Sequence, residues 1–129
     1  IVKLIEEAEE KIAANTRLHL VIALSYGGRA EITQAARALA LQVKTGKLDP
    51  DDINENLFQD CLYTSEIPNP DLLIRTSGEQ RISNFLLWQL AYAEFCFLDT
   101  LWPDFNKQDF DSAIEVFHRR ERRYGTSSD

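Results

Sequence analysis

The sequence predicts an α/β domain, a parallel sheet flanked by helices. Three observations carry this. Leu18-His19-Leu20-Val21-Ile22-Ala23-Leu24 is nearly unbroken apolar, the pattern of a strand covered on both faces and hence of a central parallel strand. Leu72-Leu73-Ile74 and Phe95-Cys96-Phe97-Leu98 are shorter runs of the same kind. Segments with helical spacing separate these runs, and strands alternating with helices define the α/β class.

Each element has a local reason. Apolar positions 1, 4, 5, 8 and 12 predict an amphipathic helix over 1–14, stopped by Asn15 and Thr16. After the strand at 18–24, Gly27-Gly28 turns the chain into an Ala/Leu-rich helix over about 30–45. Lys44 and Lys47 complement its carboxyl end and Gly46 supplies a left-handed cap. Asp49-Pro50-Asp51-Asp52 reads as a helix start, with Asp49 capping and Pro50 in the first turn, and that helix is expected to end near Asp60. Ile67-Pro68-Asn69-Pro70 leads into the strand at 72–74. The polar turn Thr76-Ser77-Gly78-Glu79-Gln80-Arg81 precedes a helix expected over Asn84–Tyr92, then the strand at 95–98. A last helix runs from near Asn106 into His118-Arg119-Arg120-Glu121-Arg122-Arg123, with Gly125 ending it and a frayed tail beyond. No repeat or linker divides residues 1–129, which read as one domain.

Composition narrows the class. At 129 residues, 44% hydrophobic and 27% charged, the chain can bury a genuine core and is not disordered. No apolar run reaches the length of a membrane span. A net charge of −7 repels polyanions, so no nucleic-acid partner is expected. Cys61 and Cys96 lack C-x-x-C spacing and read as reduced core thiols. The chain contains no Met and opens directly on a helical pattern, so the expectation is the C-terminal portion of a longer protein.

The chemistry concentrates between Asp71 and Glu94. Arg75 stands at the carboxyl end of a strand, where open parallel sheets place ligands. Gly78 permits a tight turn, Arg81 follows six residues after Arg75, and Ser83 stands where a helix is expected to begin. Two guanidinium forks and a helix N-terminus suit a phosphate or diphosphate. The same residues also fit structural ion pairs and a plain N-cap, and spacing alone does not choose. Gly27-Gly28-Arg29 reads as a strand-to-helix turn; the third glycine of a dinucleotide fingerprint is absent. Thr45-Gly46-Lys47 is not a P-loop, because Leu48 stands where Ser or Thr is required.

Glu94 can hold Mg²⁺ beside a bound diphosphate, or can simply face water. It lies at the N-terminal end of its strand, whereas Arg75 lies at the C-terminal end of another. One site for both requires a swing of the intervening helix or a second subunit. The arginines from 119 to 123 fit the negative end of a helix or an arm that reaches an anion. His19 and His118 have no zinc spacing.

The run Asp71-Leu72-Leu73-Ile74-Arg75-Thr76-Ser77-Gly78-Glu79-Gln80-Arg81-Ile82-Ser83-Asn84-Phe85-Leu86-Leu87-Trp88-Gln89, continuing through Tyr92-Ala93-Glu94, closely resembles the signature of the cis-prenyltransferases of the undecaprenyl diphosphate synthase (isoprenyl transferase) type. Tyr26-Gly27-Gly28-Arg29, Leu101-Trp102-Pro103-Asp104-Phe105 and Arg122-Arg123-Tyr124-Gly125 fit the same family in the same order. The resemblance implies a cytoplasmic, homodimeric enzyme with peripheral contact to the membrane that receives its lipid product. It adds isopentenyl diphosphate repeatedly, with Mg²⁺, to an allylic diphosphate such as farnesyl diphosphate, giving a cis-polyprenyl diphosphate. By resemblance, Arg75, Arg81 and Ser83 bind isopentenyl diphosphate, Glu94 is the Mg²⁺-associated glutamate, and Arg123 and Gly125 form the Arg-x-Gly motif that reaches diphosphate across the dimer.

Three departures accompany it. The family's Asp-Gly-Asn-Gly-Arg-Trp-Ala motif, which organises the allylic diphosphate, is absent, so these residues alone are expected to be inactive and to carry no catalytic residue of their own. Ser25 replaces an Asn found in many relatives and Gln80 a His found in some. Two rival readings are a non-catalytic partner subunit of a prenyltransferase complex and an unrelated α/β phosphate-binding domain.

Overall fold

The computed structural model describes residues 2–120. In chain order they form helix α1 (Val2–Ile12), α2 (Gly28–Lys44), α3 (Glu55–Gln59), strand β1 (Leu72–Arg75), β2 (Glu94–Phe97) and helix α4 (Lys107–Arg119), with single 3₁₀ turns at Pro50–Asp52 and Trp102–Asp104. β1 and β2 pair in parallel, with Leu72 opposite Glu94 and Arg75 opposite Phe97. Helices and a parallel pair confirm the α/β class. The core gathers Ala35 and Leu39 of α2, Leu62, Leu90, Cys96 of β2 and Ala113 of α4. Both cysteines are free thiols, Cys96 buried and Cys61 half-buried.

The ends of α2 and α4 follow the chemistry written in the chain. Gly46 adopts φ +69°. Its N–H donates to the Val43 carbonyl at 3.0 Å, and the Lys47 N–H donates to the Gln42 carbonyl at 2.9 Å, a paired closure that satisfies carbonyls left over at the helix end. At α4, the Asn106 side chain accepts from the Gln108 and Asp109 N–H groups, while the Asp109 carboxylate accepts from the Asn106 N–H at 3.0 Å. This reciprocal box fixes where α4 begins.

Three expectations need correction. The 18–24 run is not a strand: it pairs with no described strand, and Leu18, Leu20, Val21, Ile22 and Leu24 are 61–76% exposed. Apolar continuity records a demand for burial, but a strand also needs a neighbour to accept its backbone bonds. The helix expected from Asp49 to Asp60 is two pieces. Asp49 caps only the 3₁₀ turn, accepting from Asp51 N–H at 3.0 Å, and Asn54 restarts the chain as α3 by accepting from Leu57 N–H at 3.0 Å. The helix expected over 84–92 is a succession of turns. Asn84 and Leu86 adopt φ +65° and +43°, and left-handed residues interrupt the i to i−4 ladder. α4 ends at Arg119; the expected stop at Gly125 lies outside the described residues.

α2 begins in close contact with the 84–87 turn. A Cβ on Gly28 would stand 2.9 Å from Leu87 Cγ and 3.1 Å from the Leu87 backbone nitrogen. Gly28→Ala is therefore expected to destabilise the protein by about 1–3 kcal/mol, the usual consequence of overpacking, seen as a lower urea midpoint with an unchanged slope.

Candidate functional site

The 76–81 loop is anchored across the carboxyl end of the sheet. Leu98 N–H donates to the Arg75 carbonyl at 2.8 Å, Ser77 N–H to the Thr100 carbonyl at 2.8 Å, and Gly78 N–H to the Leu98 carbonyl at 2.9 Å. The turn uses left-handed backbone at Ser77 (φ +69°) and Gly78 (φ +66°), the latter packed so that an added Cβ would lie 3.3 Å from Asp99 Oδ1. Within it the two predicted arginines come together. Arg75 Nη1 donates to the Arg81 carbonyl, and the Arg81 guanidinium pairs with Glu79. A guanidinium carries five N–H donors, so each bond named here leaves most of the fork available.

Ser83 is exposed in the same turn, but it does not begin a helix. Its φ is +51°. The expected anion-binding helix N-terminus at Ser83 is thus replaced by a turn that presents the hydroxyl from a left-handed residue. The neighbouring Asn84 is committed elsewhere. Its backbone carbonyl accepts from Gly28 N–H at 2.7 Å and its side-chain oxygen from Arg29 N–H at 2.8 Å. Gly27, the residue before α2, offers no side chain to cap it, so Asn84 caps α2 from 55 residues away.

Beneath the turn lies a buried carboxylate that sequence reasoning missed. Glu31 is fully buried. Tyr26 Oη donates to Glu31 Oε2, Gln89 Nε2 donates to the same oxygen at 3.1 Å, and Tyr63 N–H donates to Oε1 at 2.9 Å. Gln89 Nε2 also reaches Thr64 Oγ1 at 2.8 Å, while Gln89 Oε1 is buried without a partner among the described residues. Burial, reinforced by the Glu31 carboxylate, holds the Tyr26 phenol well above its ordinary value. The signal was present in α2: Glu31, Ala35 and Leu39 lie at i, i+4 and i+8, which sets a charge in the buried stripe. Beside this network is an apolar cleft of about 410 Å³ lined in part by Val21, Leu24, Tyr26, Ile67, Phe85 and Leu86.

Glu94 lies at the far end of the sheet. Three residue steps along the strand separate the Leu72–Glu94 pair from the Arg75–Phe97 pair, about 10 Å at the usual strand rise. The chain therefore does not bring Glu94 to the Arg75–Arg81 loop. Its carboxylate meets Arg120, with Nη1 to Oε2 at 3.0 Å. No cluster of three His, Cys, Asp or Glu side chains exists among the described residues. A single hard oxygen donor fits Mg²⁺ only in the mode where phosphate oxygens and water complete the shell. Arg123 and Gly125, the remaining predicted positions, lie outside the described residues.

Comparison with known proteins shows the family. Residues 1–125 match the family described as "Putative undecaprenyl diphosphate synthase". The chain is 54% identical over 127 residues to an isoprenyl transferase of Chlorobaculum tepidum, covering 98% of this chain and 48% of that protein. It is 57% identical over 121 residues to a ditrans,polycis-undecaprenyl-diphosphate synthase, (2E,6E)-farnesyl-diphosphate specific, of Pasteurella multocida, covering 94% and 50%. The crystal structure of lavandulyl diphosphate synthase from Lavandula x intermedia in complex with dimethylallyl diphosphate superposes with a TM-score of 0.91 at 45% identity, over 97% of this chain and 54% of that one. The chain spans about half the length of the curated relatives it matches.

Two outcomes are expected. Asn84→Ala removes the side-chain half of the α2 cap and lowers stability by about 0.5–2 kcal/mol, measured by urea unfolding. The raised Tyr26 pKa makes the folded state hold its proton more tightly than the unfolded state. That contribution is intact below the unfolded value of about 10 and is lost as pH rises above it. The melting temperature should fall above about pH 10, and Tyr26→Phe should flatten that limb of the profile.

Proposed function

This chain belongs to the undecaprenyl diphosphate synthase family of prenyltransferases, and from that premise we propose that it carries the isopentenyl diphosphate site of a cis-prenyltransferase. The reaction it serves elongates an allylic diphosphate, farnesyl diphosphate by class, with isopentenyl diphosphate to a cis-polyprenyl product. The observation that carries the reading is the Arg75–Arg81 loop folded over the carboxyl end of β1, with Ser83 exposed beside it.

In this reading the Arg75 and Arg81 forks bind the diphosphate of the isopentenyl substrate bidentately and retain their charge when solvent is excluded. The Ser83 hydroxyl adds a donor. The diphosphate anchor holds the isopentenyl double bond toward the allylic C1. The C1–O bond of the allylic substrate breaks, a carbon–carbon bond forms from the isopentenyl double bond, and a proton leaves stereospecifically. The diphosphate group of the allylic substrate departs with the C1–O electron pair, and the new allylic diphosphate is five carbons longer. Positioning and charge stabilisation by the arginines lower the barrier. Glu94 is the residue that would hold Mg²⁺, which when bound neutralises diphosphate charge.

Because Glu94 and Arg75 occupy opposite ends of the parallel pair, the reading includes a homodimer in which a second copy completes the site, with Arg123 and Gly125 as the diphosphate-reaching motif. The apolar cleft beside Tyr26 suits part of an isoprenoid chain. The setting is cytoplasmic, with a product destined for a membrane; no helix of the described residues is long and apolar enough to cross one.

Removing a charged hydrogen-bond donor costs about 1.5–3 kcal/mol. In the complete protein, Arg75→Ala or Arg81→Ala should therefore raise KM for isopentenyl diphosphate roughly 10- to 100-fold and leave KM for the allylic substrate nearly unchanged. Steady-state kinetics with each substrate varied separately measures this. Equal, small effects on both would remove the assignment. The 129 residues alone should give no chain elongation with radiolabelled isopentenyl diphosphate.

A further inference from the structure

The ion pair at the N-terminal end of β2 differs from the ion pairs within α4. Lys107–Asp111 and Arg119–Glu115 are i,i+4 pairs along one exposed helix face. Arg120 instead joins residues 26 apart in sequence, its side chain 42% exposed and that of Glu94 27% exposed. The same nitrogen, Nη1, also donates to the Phe95 backbone carbonyl at 2.8 Å. A guanidinium held by charge alone can swing; one also bonded to the main chain of the strand has a fixed seat. Its backbone is fixed as well. Arg120 leaves the helix with φ −84° and ψ 134°, while its N–H still donates to the Phe117 carbonyl at 3.2 Å. The end of α4 is thus tied to the start of β2 through one side chain.

We propose that Arg120 is a positioning residue that occupies the Glu94 carboxylate in the metal-free protein, so that a divalent cation reaches Glu94 by displacing it. This rests on the reading of Glu94 as a metal-binding carboxylate. Two cations compete for one anion. A guanidinium at hydrogen-bond distance and a divalent ion at about 2 Å repel each other across the same carboxylate. Arg120 therefore keeps Glu94 oriented, shields β2 from an uncompensated charge, and opposes cation capture until the ion's own attraction exceeds that of the guanidinium.

Calorimetric titration of Mn²⁺ into the metal-free complete protein holding inorganic diphosphate, which supplies the phosphate oxygens a single carboxylate requires, tests this without reference to turnover. Arg120→Ala should tighten Mn²⁺ binding about two- to fivefold, the range that a partly exposed ion pair supplies. Arg120→Lys, which keeps the charge, should stay close to the unaltered protein, and Glu94→Gln should weaken binding whatever stands at 120. Tighter binding is not what a damaged fold produces, which separates competition from a merely structural role. Unchanged or weaker Mn²⁺ binding in Arg120→Ala, with Glu94→Gln still weakening it, overturns the inference and leaves the metal reading intact. Glu94→Gln without effect overturns both.

Discussion

The buried Glu31 carboxylate is the constraint on which the rest of the site depends. An ionised carboxylate out of water needs donors on its oxygens, because an unpaired buried charge is costly. Glu31 finds three, and each comes from a different part of the chain: Tyr26 before α2, the Tyr63 backbone after α3, and Gln89 in the turn before β2. Satisfying one charge therefore fixes three segments relative to α2. The 84–87 turn is then held against the start of α2 by Asn84 and Leu87, and the arginine loop precedes that turn directly. The position of Arg81 and Ser83 traces back to a carboxylate that touches neither.

The separation of Arg75 from Glu94 follows from the parallel pair. In a parallel ladder, residues that share a register share an end of the sheet. Arg75 shares its end with Phe97 and Glu94 shares its end with Leu72. Chain connectivity cannot reconcile the two ends without a bend that the strands do not have. Register alone therefore keeps the Arg75 guanidinium and the Glu94 carboxylate at opposite ends of the sheet within one chain.

Much of this was legible in the chain because it depends on local chemistry. Gly46 closing α2, Asn106 opening α4 and the strands near 72–75 and 94–97 each follow from a few neighbouring residues, although the strands are half-buried rather than buried, with Cys96 alone in the core. Arg75 at a strand end and Arg81 beyond a glycine turn were legible too, but the bond from Arg75 to the Arg81 carbonyl was not. What failed depends on distant partners. The 18–24 run has the composition of a central strand but no described strand beside it. Ser83 looked like a helix cap because the apolar residues after it are dense. Asn84 spends both its oxygens on α2, and a residue held at φ +65° cannot continue a helix. Glu31 escaped notice because a lone acid on an alanine-rich helix resembles a solvated one until its neighbours at i+4 and i+8 are seen to be buried.

The contacts between α2 and the 84–87 turn bear on how such a sequence can change. A side chain at Gly27 would press on the Asn84 amide at 2.9 Å, and one at Gly28 on Leu87 at the same distance. Positions 27 and 84, and 28 and 87, are therefore not free to drift one at a time. A gain of volume on the helix side becomes tolerable only after a loss on the turn side, so the fitness of each substitution depends on the order in which the two arise. Evolution across this seam is expected to be epistatic, proceeding by linked exchanges or not at all.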